Sequence, residues 1–355
     1  MPVDLRATIE GGALKTLLSL PATVQRALSG RPLVLDGQTL APDLQLMLAM
    51  QKLARRGELG GTSLDAGRAS MNANAALAGG RQPIGAVRDL VVAGLPARHY
   101  LPHGAHAADQ GTPLLLFFHG GGFLYGDLDS HDAPCRVLAE ESGVPVLAVA
   151  YGVGPEAAFP AAFDDAEAAL RWVRDHADEL GVDPDRIGVG GDSAGGNIAA
   201  WTAIAAARDG VPLAFQLLVY PCTDIDRDTE SLRLFGEGLY LTAESMEMFT
   251  ATYLTTPEAR ADERVNLLDV ALPSGLAPAY VVTAGFDPLR DEGEAYARHL
   301  VEAGAEVELR RFVDQIHGFL NIVGVGRSSR AAVLEIAGRL RELATARGGT
   351  RAADG

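Results

Sequence analysis

From about residue 85 onward, apolar runs of strand length recur along the chain, separated by stretches with helical spacing. They fall at 87–92, 96–101, 114–118, 146–150, 187–190, 214–219, 279–284 and 306–312. Several are unbroken rather than alternating, as in Leu114-Leu-Leu-Phe-Phe118, the signature of strands covered on both faces. Runs of this kind alternating with helices predict an α/β fold: a mostly parallel central sheet flanked by helices.

The rhythm is broken in two places. Residues 1 to 80 hold helical patches such as 41–55, where Leu44, Met47, Leu48 and Met50 to Leu53 would share an apolar face. Residues 223–266 contain a second amphipathic stretch, Leu239 to Tyr253, inserted ahead of the run at 279–284. The expected organisation is an N-terminal helical cap segment (1–80) and a core in two parts (81–222 and 267–346). A cap insertion (223–266) separates those parts, and a disordered tail (347–355) follows.

Candidate chemistry sits between these runs. Ser193 is the centre of Gly191-Asp-Ser-Ala-Gly195, placed between the apolar Arg186-Ile-Gly-Val-Gly190 and the Ala-rich, helix-favouring stretch Asn197 to Arg208. A serine nucleophile at a strand-to-helix turn needs small neighbours, because the turn leaves almost no room for side chains. Upstream, His119-Gly120-Gly121-Gly122 follows the run 114–118 at once. Glycines let a loop aim its amides at one point, which is what an oxyanion developing on an attacked carbonyl requires. The candidate donors are the N–H groups of Gly121, Gly122 and Ala194, with His119 and Gly120 supporting the loop. A phosphate cradle fits worse, since no Gly-Lys-Ser/Thr follows the glycines.

A nucleophile needs a base, and the base an orienting acid. Of the 8 histidines, His317 lies in the loop after the late run 306–312, where it can reach over the strand ends. Asp287 follows the run 279–284, with Asp291 as a competing acid one helical turn on. Asp287 is favoured because it meets the strand end directly and Pro288 can start the next helix. Asp314 is too close in sequence to His317 to be the obvious partner. His131 reads as a helix-entry or polar-contact residue, and His103, His106, His176 and His299 as surface or helix-face residues. No Cys, His and carboxylate set has metal-ligand spacing, so neither metal nor other cofactor is expected.

In these motifs the chain resembles the hormone-sensitive-lipase-like esterases, bacterial lipolytic family IV, of the α/β-hydrolase fold. The matching stretches are 119–132, 191–197, 287–293 and His317-Gly-Phe319, with Asp192 pointing to the GDSAG branch. The resemblance implies Ser193 as nucleophile, His317 as base and Asp287 as orienting acid, with Gly121, Gly122 and Ala194 as oxyanion donors. It implies hydrolysis of short- to medium-chain acyl esters through an acyl-enzyme, and a homodimer is an expectation on the same ground. One departure stands out. Such esterases carry Tyr-Arg-Leu-Ala-Pro-Glu where this chain has Tyr151-Gly152-Val153-Gly154-Pro-Glu156, so the arginine that braces that loop is missing.

Composition narrows the partners. The 355 residues are 48% hydrophobic, enough for a large core, and no run approaches the ~20 apolar residues of a membrane span. A net charge of −16 argues against nucleic acid and anionic lipid surfaces, leaving a small-molecule ester as the expected partner. Two cysteines, Cys135 and Cys222, and no basic-then-apolar leader fit a cytoplasmic protein. Phe123, Asp192, Met246, Met248, Phe249 and Tyr253 are candidates for the substrate pocket, the last four equally readable as cap packing. An amidase or peptidase would use the same triad. A non-catalytic ligand receptor on this scaffold would typically lack the histidine.

Overall fold

The computed structural model describes residues 5–53, 63–104, 111–226 and 228–346. Its main sheet has eight strands among these residues: β1 (Ala86–Val92), β2 (Leu95–Leu101), β3 (Thr112–Phe118), β4 (Val146–Val149), β5 (Val182–Asp192), β6 (Gln216–Val219), β7 (Ala279–Phe286) and β8 (Val307–Ile316). Their order across the sheet is β1-β2-β4-β3-β5-β6-β7-β8. Only the β1–β2 and β2–β4 pairs are antiparallel. The remaining pairs are parallel. Each of the eight apolar runs overlaps one strand.

The central strands are unbroken apolar runs because both faces are covered. Leu114, Leu116 and Phe118 of β3 point into one cluster with Ala169, Ile198 and Leu300, from helices Ala161–Asp175, Ala194–Arg208 and Arg290–Glu302. Leu115 and Phe117 point the other way, into a cluster with Leu138 and Ile336 from helices Asp132–Ser142 and Ser328–Ala346. This is the period-two alternation of a strand set between two helical layers. The edge hairpin β1–β2 lacks full cover, and Val91 is left exposed.

A third cluster lies beyond the strand ends. Leu18, Leu44 and Met47 from the first fifty residues meet Phe235 and Leu239, and both groups close on Phe286 and Ile316 at the ends of β7 and β8. The N-terminal segment and the stretch after β6 thus converge beside the C-terminal edge of the sheet. The second of these is tied at its base, where Asp224 bridges Asn266 and Leu267 N–H donates to Thr223 O at 2.8 Å.

Local expectations shift at several points. Helix Pro42–Leu53 buries Leu44, Leu46 and Met47, whereas Leu53 is exposed, so the apolar face ends a turn earlier than the sequence pattern suggests. The stretch Leu239 to Tyr253 is helical only from Ala243, because the Thr242 side chain caps the helix by accepting from Ser245 N. Helix Arg290–Glu302 begins two residues after Pro288. There Asp287 Oδ1 accepts from Leu289 N–H at 2.8 Å, an Asp-anchored turn that takes over the start. The tail at 347–355 lies outside the described residues. Among those residues no helix is long and apolar enough to cross a membrane.

Candidate active site

β5 ends at Asp192, and helix Ala194–Arg208 begins two residues later, leaving Ser193 at the bend with φ 56° and ψ −122°. That backbone is strained for a residue with a side chain and persists only when its surroundings hold it. They do: Ser193 N–H donates to Val219 O of β6 at 3.0 Å, and Ser193 O accepts from Asn197 and Cys222 N–H, both at 3.1 Å. A Cβ on Gly195 would run into the carbonyl oxygens of Phe118 and His119, so the helix can approach β3 only with glycine there.

His317 follows β8 directly, after an irregularity between Phe312 and Ile316 turns the chain over the sheet edge. Its Nε2 lies 3.0 Å from Ser193 Oγ, and its Nδ1 lies 2.7 Å from Asp287 Oδ2. Asp287 is fully buried at the end of β7, while His317 and Tyr220 rings pack at 4.6 Å. Asp291 is elsewhere, accepting from Ser231 N–H and the Arg290 guanidinium. Asp314 accepts from the Gln315 amide. The structure therefore brings Ser193, His317 and Asp287 into one hydrogen-bonded line and leaves the two other acids out.

Gly121 and Gly122 line the cavity in front of Ser193 together with Ala194, whose N–H, at the first position of its helix, has no intrahelical partner. A Cβ on Gly122 would strike the Phe249 ring. The loop is pinned from below by Asp192: Gly120 N–H donates to its Oδ1 at 2.9 Å, His131 Nε2 lies 3.1 Å from the same atom, and Tyr220 OH donates to Oδ2 at 3.3 Å. Burial pushes the Asp192 carboxyl up, but His131 and the Gly120 N–H together hold it below the usual carboxylate range. Asp192 borders the cavity, yet its oxygens are spent on the loop. His119 stacks on Tyr151 at 4.4 Å, and Tyr151 OH donates to His119 O at 2.6 Å. Burial, with His131 beside it, lowers the His119 pKa to about 4, so its ring is neutral near pH 7.

Two helices close the cavity from above. Helix Leu64–Gly79 contributes Met71, and helix Ala243–Tyr253 contributes Met246, Phe249 and Tyr253, with Phe123 below. Phe123 and Tyr253 stack at 4.8 Å. Positions 246, 249 and 253 share one helical face, which is why Met248 points away and packs half-buried on the core instead.

The loop lacking its usual arginine is braced from outside. Arg68 of helix Leu64–Gly79 donates to Leu124 O at 2.8 Å and Gly154 O at 2.6 Å, and forms a two-pronged pair with Glu156 at 2.8 and 2.7 Å. It joins the glycine loop, the 152–156 loop and the helix above them. Sequence reasoning missed Arg68 because its partners lie 56 to 88 residues away. Tyr220 and Met71 escaped notice for the same reason, with no local motif around them. Of the remaining histidines, His103 pairs with Glu140, His176 bonds to Trp172 O and His299 to Val270 O. His106 lies outside the described residues. His99, not weighed in the sequence, is buried in β2, and burial lowers its pKa to about 4. Among the described residues no three His, Cys, Asp or Glu side chains could hold a metal ion.

Comparison with known proteins agrees with this architecture. A family model described as alpha/beta hydrolase fold matches residues 115–321. The chain is therefore a member of the α/β-hydrolase fold, and its motifs and relatives place it among the hormone-sensitive-lipase-like carboxylesterases. It is 42% identical over 354 residues to the carboxylic ester hydrolase LipN of Mycobacterium tuberculosis, an alignment covering 95% of this chain and 92% of LipN. It is 42% identical over 230 residues to an ethyl acetate hydrolase of Pseudomonas putida, covering 64% and 72% of the two chains. A solved esterase of Pyrobaculum calidifontis superposes with a TM-score of 0.79 at 36% identity, covering 86% of this chain and 99% of its own.

Proposed function

We propose that this carboxylesterase hydrolyses short- to medium-chain acyl esters through an acyl-enzyme on Ser193. The observation that carries the reading is the line Ser193 Oγ–His317 Nε2–His317 Nδ1–Asp287 Oδ2, at 3.0 and 2.7 Å, at a cavity that Gly121, Gly122 and Ala194 also line. His317 Nε2 takes the Ser193 proton as Oγ attacks the ester carbonyl. The tetrahedral oxyanion sits against the N–H groups of Gly121, Gly122 and Ala194, each such donor contributing roughly 3 kcal/mol. The positive end of helix Ala194–Arg208 faces the same charge. Collapse breaks the carbonyl–alkoxy bond, and the alcohol leaves with the proton from His317. Water, deprotonated by the same ring, then attacks the acyl-enzyme and releases the carboxylic acid with Ser193 restored. Asp287 holds the imidazole in the tautomer with Nδ1 protonated and stabilises its charged form.

The test is hydrolysis of p-nitrophenyl esters from acetate upward, with Ser193→Ala alongside. The variant is expected to lose at least about 10⁴-fold in kcat. Substantial turnover by a folded Ser193→Ala protein would remove Ser193 from the mechanism.

A further inference from the structure

Two cavities meet at the site, and they differ in size and wall. The one in front of Ser193 holds about 70 Å³. The second, of about 320 Å³, lies under the N-terminal helices and is lined by groups such as Leu14, Met47, Met50, Ala75 and Ala78. Met71, Tyr240, Gly318 and Asn321 line both, so the cavities are neighbours across a shared wall. None of the described residues lining the second cavity carries a charge.

Resting on the serine-esterase reading above, we propose that the second cavity seats the alcohol half of the ester. The preferred substrate then lies at the short end of the acyl range proposed above, with the acyl group joined to a bulky, uncharged, apolar alcohol. Direction follows from the proton path. The leaving oxygen receives its proton from His317 Nε2, so the alcohol lies on the His317 side of Ser193. The chain just past His317 lines the large cavity: Gly318, then Asn321 and Ile322. The small cavity is walled on the glycine-loop side by Phe123, Phe249 and Tyr253, which have no part in the large one. Those rings are locked: Phe123 stacks on Tyr253, and Tyr125 meets Phe249 edge-on at 5.1 Å.

Size sets the two halves apart. A dry apolar cavity of ~150 Å³ holds one benzene, so the large cavity accommodates a group on the order of ten carbons and the small one roughly two to four. Tyr240, on the shared wall, has φ 79°, a strained backbone for a side-chain-bearing residue. Its ring packs on Gly318, where a Cβ would come within 3.0 Å of Cε1. Strain held at a partition between two cavities marks a residue placed for function.

The purified full chain is assayed with ethyl, hexyl and 2-phenylethyl acetate and, in the other direction, ethyl butyrate and ethyl octanoate. The alkyl alcohols leave with similar intrinsic ease, so differences report binding. From ethyl to hexyl or 2-phenylethyl acetate, kcat/KM is expected to rise about tenfold or more, mainly through KM. From ethyl butyrate to ethyl octanoate it is expected to fall by a similar factor. Ala75→Trp and, as a second variant, Met50→Trp are expected to cut the hexyl-to-ethyl acetate ratio at least about fivefold by filling the cavity. A flat alcohol series, or a preference for octanoate over the bulky acetates, overturns the proposal while leaving the serine mechanism intact. Failure to hydrolyse p-nitrophenyl acetate would instead sink the mechanism itself.

Discussion

Ser193 is approached from two sides that are held in opposite ways. On the sheet side, Asp192 gathers Gly120, His131 and Tyr220 into a closed set of hydrogen bonds, all buried, and Tyr151 ties down the next carbonyl. On the helical side, Met71 and Met246 reach the same cavity through flexible thioether chains. Buried polar networks have one good geometry and lose heavily when a member is missing. Thioethers and flexible apolar chains repack at small cost. On the function proposed above, we infer a separation of tasks: the sheet side sets how fast any ester is attacked, and the helical side sets which ester is admitted.

Replacing the hub of the polar set is the harshest way to break that comparison. Asp192→Ala leaves His131 and the Gly120 N–H without their shared acceptor and is expected to cost about 3 kcal/mol of stability. With the donors misplaced, kcat should fall about 10²-fold, by a similar factor for every ester. Steady-state kinetics across an ester series check this. A change confined to one acyl length would contradict the division of tasks.

Arg68 is where the two sides are joined, so Arg68→Ala asks whether the division depends on that joint. The loss of charge-assisted bonds to Leu124 O and Gly154 O is expected to remove about 1–2 kcal/mol, since the Glu156 pair is exposed and adds little. Thermal denaturation should show Tm lower by about 1–3 °C. An unchanged Tm would mean that the missing loop arginine has not been replaced by this one.

Glu292 sharpens the comparison from beneath the triad. Its Oε1 accepts from Thr223 and Asp224 N–H at 2.8 and 3.3 Å, and burial, with Asp224 and Asp287 nearby, raises its pKa to about 8. Unfolded, the carboxyl ionises near pH ~4.3, so the native state keeps a proton that the unfolded state has lost. Its contribution to stability is therefore complete below that pH and is lost as pH rises to about 8. Glu292→Gln keeps the acceptor and removes the titration. Relative to the parent, its Tm should be higher at pH 9 than at pH 5. A difference in Tm that is the same at both pH values would refute the assignment.

The smallest effect belongs to the adaptable side. Met246→Ala should leave stability within about 1–2 kcal/mol and shift KM among acyl lengths by only a few-fold, with kcat little changed. A uniform loss of kcat across the series would place Met246 with the polar network after all.

Much of this molecule is legible locally. The turn at Ser193, the glycine loop after β3 and the histidine after β8 stand in the sequence because each answers a constraint within a few residues. A tight bend excludes side chains, an amide cradle needs glycine, and a doubly covered strand needs an unbroken apolar run. Where the reading slipped, a competing local force decided. Thr242 capped a helix that the apolar spacing alone would have started earlier, and the Asp287 turn delayed the helix expected from Pro288.

The sequence by itself determined the fold class, the order Ser193, Asp287, His317 and the chemistry those side chains can perform. Only the tertiary structure decided that Arg68 braces a loop whose own arginine is absent, and that Met71 and Tyr240 stand between a small cavity and a large one. Those outcomes depend on groups separated by tens to hundreds of residues. Such groups meet only once burial of the shared apolar surface has brought the helices onto the sheet.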